Sequence, residues 1–232
     1  MLGEVRPDWR AARREEARAA ILRVAWELAR EHGLAALSLR DLAERLGMRA
    51  PSLYSYFSSK DAIYDAMFAQ GYREYLDQER RPGADLGTEL RRGAHQFVHF
   101  CVADPVRYQL LFQRTIPGFE PSAESWKLAQ QAYAVGMSGL IDFGIAASGL
   151  DMVTAVLTGL VDQQISNDPG GERWIGLADD AADMLCAYLT RSLQAAPDQQ
   201  ELEKLLAGFE PVAAAVCPDW AGLVDRPRVA AV

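Results

Sequence analysis

Residues 38–60, SLRDLAERLGMRAPSLYSYFSSK, restrict what this chain can fold into more than any other stretch. Leu39, Leu42, Ala43 and Leu46 recur at i, i+3, i+4 and i+7, one face of a short helix whose other face carries Arg40, Asp41, Glu44 and Arg45. Ser38 stands before it and Asp41 follows three residues on, an approximate capping box for the amides of the first turn. Gly47 stops the helix. Pro51 needs no amide partner and fits the first turn of a second helix, in which Leu53 and Phe57 form an inward i, i+4 pair. Two short helices joined by a tight, glycine-containing turn make a helix-turn-helix.

The outward side of the second helix carries Arg49, Ala50, Ser52, Ser55 and Tyr56, all small, hydrogen-bonding or cationic. Such a helix enters a major groove about 12 Å wide and offers donors to base edges. Lys60 opens a third helix, where a cation and free backbone amides together suit a phosphate oxygen. A glycine-linked helix pair also occurs as plain structure in all-helical proteins, with Tyr54 and Tyr56 as half-buried rings whose hydroxyls stay wet. The ordered run G-x-x-x-P-S-L-Y-x-Y-F-x-S-K-D, carried by Gly47, Pro51, Ser52, Leu53, Tyr54, Tyr56, Phe57, Ser59, Lys60 and Asp61, resembles the DNA-binding domain of the tetracycline-repressor (TetR) family over about residues 14–68. The resemblance implies a phosphate contact for Tyr56 and a base or backbone contact for Arg49. The full DNA-binding set expected from residues and resemblance together is Ser38, Arg40, Arg49, Ala50, Pro51, Ser52, Tyr54, Ser55, Tyr56 and Lys60.

A net charge of -8 argues against nucleic-acid binding by the whole surface, but the charge is unevenly spread. Residues 1–60 hold 11 Lys+Arg against 8 Asp+Glu, whereas residues 61–232 hold 13 against 24. A mildly basic head on an acidic body is what localised phosphate binding requires. With 232 residues, half of them hydrophobic, the chain can build real cores. No window reaches 18 uninterrupted apolar residues and the arginine-rich start lacks an apolar core segment, so no membrane partner and a cytoplasmic location are expected. Cys101, Cys186 and Cys217 are isolated and odd in number, the pattern of buried thiols in a reducing compartment.

Taken in order, residues 1–13 read as a mobile N-terminal arm with Arg6, Arg10 and Arg13, able to reach phosphates or a minor groove or to stay a silent solvated tail. The first helix is expected over Glu15–His32, with Ile21, Val24, Ala25 and Leu28 inward and Gly33 as its C-terminal stop. A long connector, Asp61–Arg81, should bury Ile63, Met67, Gly71 and Tyr75 before Pro82 ends it. Further helices are expected over Leu86–Ala103, Val106–Arg114, Ser122–Phe143, Asp151–Ser166 and Arg173–Gln194, the last two parted by Asn167-Asp168-Pro169-Gly170-Gly171. The run ADPVRYQLLF, Ala103–Phe112, is similar to a helix junction of TetR-type regulatory domains. A short helix over Asp198–Phe209 and a proline-interrupted tail follow.

No G-x-x-x-x-G-K-[ST], H-E-x-x-H, G-x-S-x-G or C-x-x-C occurs, so catalysis is not expected and no cofactor is called for. His95 and His99 share a helix face at i, i+4, but no third ligand follows at regular spacing, and structural histidines are the expected reading. Phe97, Phe100, Phe112, Trp126, Tyr133, Met137 and Phe143 come from three consecutive helices. A dry aromatic core and an apolar cavity use the same residue types, and the residues alone admit both. The resemblance implies the cavity, because TetR-type bodies bind small molecules that release the protein from its operator. Met152, Val156, Gly159, Leu160, Leu177, Ala181, Met184, Leu185 and Tyr188 stripe the last two helices, which either close the body or meet their own copy as a four-helix bundle. The resemblance favours the homodimer.

The expectation is therefore an all-α protein: a three-helix helix-turn-helix DNA-binding domain over residues 14–60, a helical ligand-binding and dimerisation domain over 61–196, and an extension over 197–232. Its expected partners are double-stranded palindromic DNA, a small-molecule effector and a second copy of itself, and its expected function is ligand-responsive repression. The rival is a small-molecule-binding protein or enzyme that keeps the helix-turn-helix only as structure. An architectural DNA protein of low specificity conflicts with the acidic body.

Overall fold

The computed structural model describes residues 9–194. Among them are nine α-helices and no strand: α1 (Trp9–His32), α2 (Leu39–Arg45), α3 (Ala50–Leu53), α4 (Lys60–Leu76), α5 (Leu86–Ala103), α6 (Pro105–Phe112), α7 (Ala123–Asp142), α8 (Ala147–Asn167) and α9 (Ala178–Gln194), with a 3-10 turn at Ile175–Leu177. The all-α class expected from sequence is what the chain adopts. Two compact units emerge, residues 9–74 with 106–129, and residues 75–105 with 130–194. The first is larger than the expected 14–60 head, since most of α4, α6 and the start of α7 pack with the helix-turn-helix.

The first unit is built on large side chains. Ile21, Trp26 and Leu28 of α1, Leu42 of α2, Leu53 of α3 and Ile63, Tyr64, Met67 and Phe68 of α4 are all buried. Ring contacts extend this core, Phe68 to Tyr72 at 4.8 Å and Tyr72 to Phe112 at 5.8 Å between centroids. Two of its aromatic polar groups are paired across elements, as burial favours. The Trp26 indole donates to Gln70 Oε1 at 3.2 Å, and the Tyr72 hydroxyl donates to the Leu111 carbonyl at 2.9 Å.

The second unit is built around an aliphatic cluster. Leu90 and Ala94 of α5, Leu140 of α7, Leu150, Val153 and Leu157 of α8, and Ala182, Leu185 and Leu189 of α9 form one buried cluster, with Ile145 from the α7–α8 turn. α5 starts and stops where the sequence pattern places it because its ends are chemically marked. The Asp85 carboxylate accepts from the Thr88 amide at 2.7 Å, which lowers its pKa, and Pro105 follows the last turn. Outside the core, Arg91 pairs with Asp183, and His95 with Asp179 at 2.9 Å.

Several boundaries differ from the pattern. α1 begins at Trp9 instead of Glu15, so Arg10 and Arg13 of the expected arm are helical; both guanidinium groups lie over the Trp9 ring, at 5.3 and 5.7 Å. Arg6, the Asp198–Phe209 helix and the 197–232 extension with Cys217 lie outside the described residues. α4 stops at Leu76, five residues short of Arg81, and in the non-helical segment that follows Arg92 donates to the Arg81 and Pro82 carbonyls. α8 starts at Ala147, just after Gly144 takes the left-handed conformation (φ 79°) that ends α7. α9 starts five residues after Arg173. The Gln164 side chain, 3 % exposed, holds the preceding loop by accepting from the Trp174 and Ile175 amides at 2.9 and 3.2 Å and donating to the Gly171 carbonyl at 3.0 Å.

Candidate nucleic-acid interface

The turn between α2 and α3 is closed by backbone chemistry that the sequence announces. Gly47 takes φ 66°, the Gly47 amide donates to the Glu44 carbonyl at 3.0 Å, and the Met48 amide donates to the Ala43 carbonyl at 2.9 Å, satisfying two orphan carbonyls of α2. At the other end Ser38 caps α2, its Oγ accepting from the Arg40 and Asp41 amides at 3.2 and 3.4 Å. Arg45 forks onto Glu31 at 3.1 and 2.8 Å and so ties α2 to α1. That contact lowers the Glu31 pKa and raises that of Arg45, the side-chain hydrogen bond being the main cause of each.

α3 is a single regular turn, shorter than the full helix expected. Past Leu53 the chain continues in turn geometry, with i→i+3 bonds from the Ser55 and Tyr56 amides at 3.2 and 2.9 Å. The Ser55 hydroxyl donates back to the Ser52 carbonyl at 2.7 Å, the local competition by which serine weakens a helix. Leu53 and Phe57 are the anchors, 1 % and 4 % exposed. Above them Arg49, Pro51, Ser52, Tyr54 and Ser55 face solvent, and Ala50 and Tyr56 are half-buried. Tyr54 is 57 % exposed, an unusual cost for an aromatic ring with no internal function. Arg40 and Arg49 are exposed, and no described residue holds either guanidinium.

Two residues that sequence reasoning missed fix this surface. Arg14 donates to the Ser55 carbonyl at 2.9 Å, and Arg18 donates to the Tyr56 carbonyl while its guanidinium lies 4.2 Å from the Phe57 ring centroid. Cations at the end of a helix satisfy its last carbonyls and its negative pole. The i, i+4 spacing of these arginines was legible, but it marks a helix face in general and does not name the target. Lys60 is engaged internally, its ammonium donating to the Ala35 carbonyl at 3.3 Å and lying 5.3 Å from the Tyr64 ring centroid. Tyr64 binds the neighbouring Leu34 carbonyl at 2.5 Å, so α4 pins the α1–α2 loop twice.

The expected ligand-binding residues are not gathered in one unit. Phe112 and Trp126 fall in the first, Phe97, Phe100, Tyr133, Met137 and Phe143 in the second. Phe97, Met137 and Phe143 flank the aliphatic cluster, and Phe100 meets Tyr75 edge-on at 4.9 Å. The α7 stripe is turned from the expected face. Trp126 and Tyr133 are 45 % and 46 % exposed, while Ser125, Ala129, Ala132 and Leu140 are buried, small side chains letting a helix pack closely where rings would hold it off. A cavity of about 490 Å³ lies elsewhere, lined by Leu28, His32, Asp41, Glu44 and Arg45.

Of the expected dimer residues, Met152, Leu177, Met184 and Tyr188 are exposed, at 40, 40, 56 and 39 %, and Gly159 looks into open space. Val156 and Leu160 are half-buried against the core. Ala181 and Leu185 are corrections: at 8 % and 1 % exposure they belong to the inside of their own unit. With 3.6 residues per turn, 181, 185 and 189 share the inner face and 184 and 188 lie beside it, two faces that the sequence stripe merged. His95 and His99 stack at 5.7 Å, and no group of three His, Cys, Asp or Glu is placed to hold a metal among the described residues.

Comparison with known proteins adds four findings. The family described as bacterial regulatory proteins, tetR family, matches residues 21–67, which hold both helices of the motif and the start of α4. The tetracycline repressor protein class A from transposon 1721 of Escherichia coli is 45 % identical over 160 residues, 66 % of this chain and 69 % of that protein. The HTH-type transcriptional regulator Rv1816 of Mycobacterium tuberculosis is 30 % identical over 119 residues, and this match spans about half of either protein, 47 % of the chain and 51 % of the relative. The crystal structure of the protein SCO4313 shares the fold, with a TM-score of 0.59 at 24 % identity over 78 % of this chain and 98 % of that one.

Proposed function

The chain belongs to the TetR family of bacterial regulatory proteins, and we propose that it acts as a homodimeric repressor that grips a palindromic operator and is released by a small, largely apolar molecule. The observation that carries this reading is the surface of α3 and the turn after it. Arg49, Ser52, Tyr54 and Ser55 stand in solvent above a buried Leu53–Phe57 anchor, and two α1 arginines hold the carbonyls at its end. That arrangement is rigid below and polar above, which is what base readout needs. Arg49 and Ser52 are assigned to base edges, and Tyr54, Tyr56 and Arg40 to phosphates. Lys60 also faces phosphate in this reading, exchanging the Ala35 carbonyl for a stronger acceptor. Ser38, Ala50 and Pro51 set the approach distance.

Two copies would enter successive major grooves when their α3 helices lie about 34–36 Å apart, and a ligand that favours another spacing would release the DNA. The exposed Met152, Leu177, Met184 and Tyr188 of the α8–α9 region are assigned to the contact between copies. No single helix among the described residues is long and apolar enough to cross a membrane, and the regulator is read as cytoplasmic and not as a catalyst.

The test is selection of sheared genomic DNA on the purified protein, with Lys60→Ala as control. Retention of a few fragments sharing a palindrome supports the reading, and retention of none at low as well as moderate salt overturns it. Lys60→Ala should weaken all sequences alike and reduce the salt slope by about one. A loss confined to particular sequences would move Lys60 from phosphate to base contact.

A further inference from the structure

Arg80 has surroundings that the proposed regulator does not explain. It stands on the non-helical segment between α4 and α5, its guanidinium 4.9 Å from the centroid of the Tyr75 ring. Tyr75 and Phe100, in edge-on contact, are both 8 % exposed. α7 comes close at Gly136, where an added Cβ would lie 3.5 Å from Tyr75 Oη and 3.6 Å from Arg80 Nη1. All four residues belong to the second unit.

Nε and Nη2 of Arg80 are buried, and neither has a hydrogen-bond partner among the described residues. These two nitrogens form one edge of the guanidinium, with parallel N–H bonds at the spacing of the two oxygens of a carboxylate. Two acids of the same unit are engaged elsewhere: Glu79 pairs with Arg81, and Glu89 accepts from the Gly83 amide at 2.6 Å. The Tyr75 hydroxyl is hydrogen-bonded to Arg80 but is no counterion, since burial outweighs that contact and raises its pKa. Two guanidinium N–H groups buried without an acceptor are unfavourable even on a half-buried arginine, and a single bidentate carboxylate would satisfy both. Residues 77–85 lie outside the helices, so Arg80 can swing to admit a ligand without unwinding α4 or α5.

We propose that Arg80 anchors the carboxylate of an apolar monocarboxylic acid in the second unit, with Tyr75 and Phe100 against its hydrocarbon part. The proposal rests on the reading that this unit takes a small apolar molecule, and it adds the charged group by which that molecule is held.

The test uses the full chain without DNA at neutral pH. Octanoate, decanoate and 1-naphthylacetate are each compared with their primary amide by calorimetry and thermal shift, on wild type, Arg80→Gln and Arg80→Lys. At least one acid should bind about tenfold or more tightly than its amide, the worth of a charge-assisted bidentate contact. Arg80→Gln should bring that acid down to the level of its amide, and Arg80→Lys, which keeps the charge and loses the fork, should fall between. Binding by none of the acids, equal binding of acid and amide, or a preference for the acid that survives Arg80→Gln would each overturn the proposal. Should Arg80→Gln fail to fold, the wild-type comparison and Arg80→Lys still decide. Release from a selected operator is measured separately. An acid that binds through Arg80 yet leaves the DNA complex intact breaks the effector reading and keeps the site, whereas release by acid and amide alike breaks the site and keeps the effector reading.

Discussion

In the unit that carries the helix-turn-helix, rings such as Trp26, Phe57, Tyr64, Phe68, Tyr72 and Tyr108 are buried, and the solvent face of α3 is polar. In the other unit aliphatic side chains fill the core, while Tyr133, Met152, Leu177, Met184, Tyr188 and Leu193 are 39 to 56 % exposed. Both are helical, yet the surface of α3 and the surface of the α8–α9 region leave different groups in solvent, the one mainly polar and the other rich in large apolar side chains. A polar, cationic face is paired by a charged surface such as DNA, whereas exposed large apolar side chains are covered by another apolar surface. The contrast assigns the proposed operator contact to one unit and the proposed contact between copies to the other.

The hardest strain on that contrast comes from adjacent residues of α9. Leu185→Ala empties a fully buried position and should lower the unfolding free energy by about 2–5 kcal/mol in urea titrations, whatever the oligomeric state. Met184→Lys changes a residue 56 % exposed and should leave the helical circular-dichroism signal of the monomer unchanged while shifting sedimentation from dimer toward monomer. A fully dimeric Met184→Lys protein would remove α9 from the proposed interface. In the first unit, Arg18→Ala leaves the Tyr56 carbonyl without its donor and should cost about 1–3 kcal/mol, seen as lower stability together with weaker operator binding in fluorescence anisotropy. Lost stability with undiminished DNA affinity would show that the arginine serves the fold alone. The smallest effect is expected for Gly136→Ala inside α7, whose Cβ would meet Tyr75 Oη and Arg80 Nη1 only at the ordinary distances of 3.5 and 3.6 Å, so thermal melts should show a gain of about 0.5–1 kcal/mol.

Much of the first unit was readable because its signals are local. Ser38 caps α2 and Gly47 adopts the left-handed turn through interactions among residues a few positions apart, and Leu53 and Phe57 follow from helical spacing. The same logic recovered the bounds of α5, marked by Asp85 and the Asp104-Pro105 step. Local pattern failed where a distant side chain intervened. Gln164 holds the loop before α9, Arg92 binds carbonyls in the segment after α4, and Arg14 and Arg18 reach carbonyls 41 and 38 residues away. It also failed on α7, where Trp126 and Tyr133 stand out although the buried residues are Ser125, Ala129, Ala132 and Leu140.

By itself the sequence determined that the chain is all helical, where the helix-turn-helix lies, and which family it belongs to. Those properties depend on caps, turn glycines and periodicity, interactions that span a few residues and need no knowledge of the rest of the fold. Only the tertiary structure decided which face of α7 and α9 is hidden, what holds the end of α3, and that Arg80 is left with two buried donors. Burial and pairing of that kind depend on which helices meet, and a helix with apolar residues on more than one side does not declare its inner face until a neighbour has packed against it.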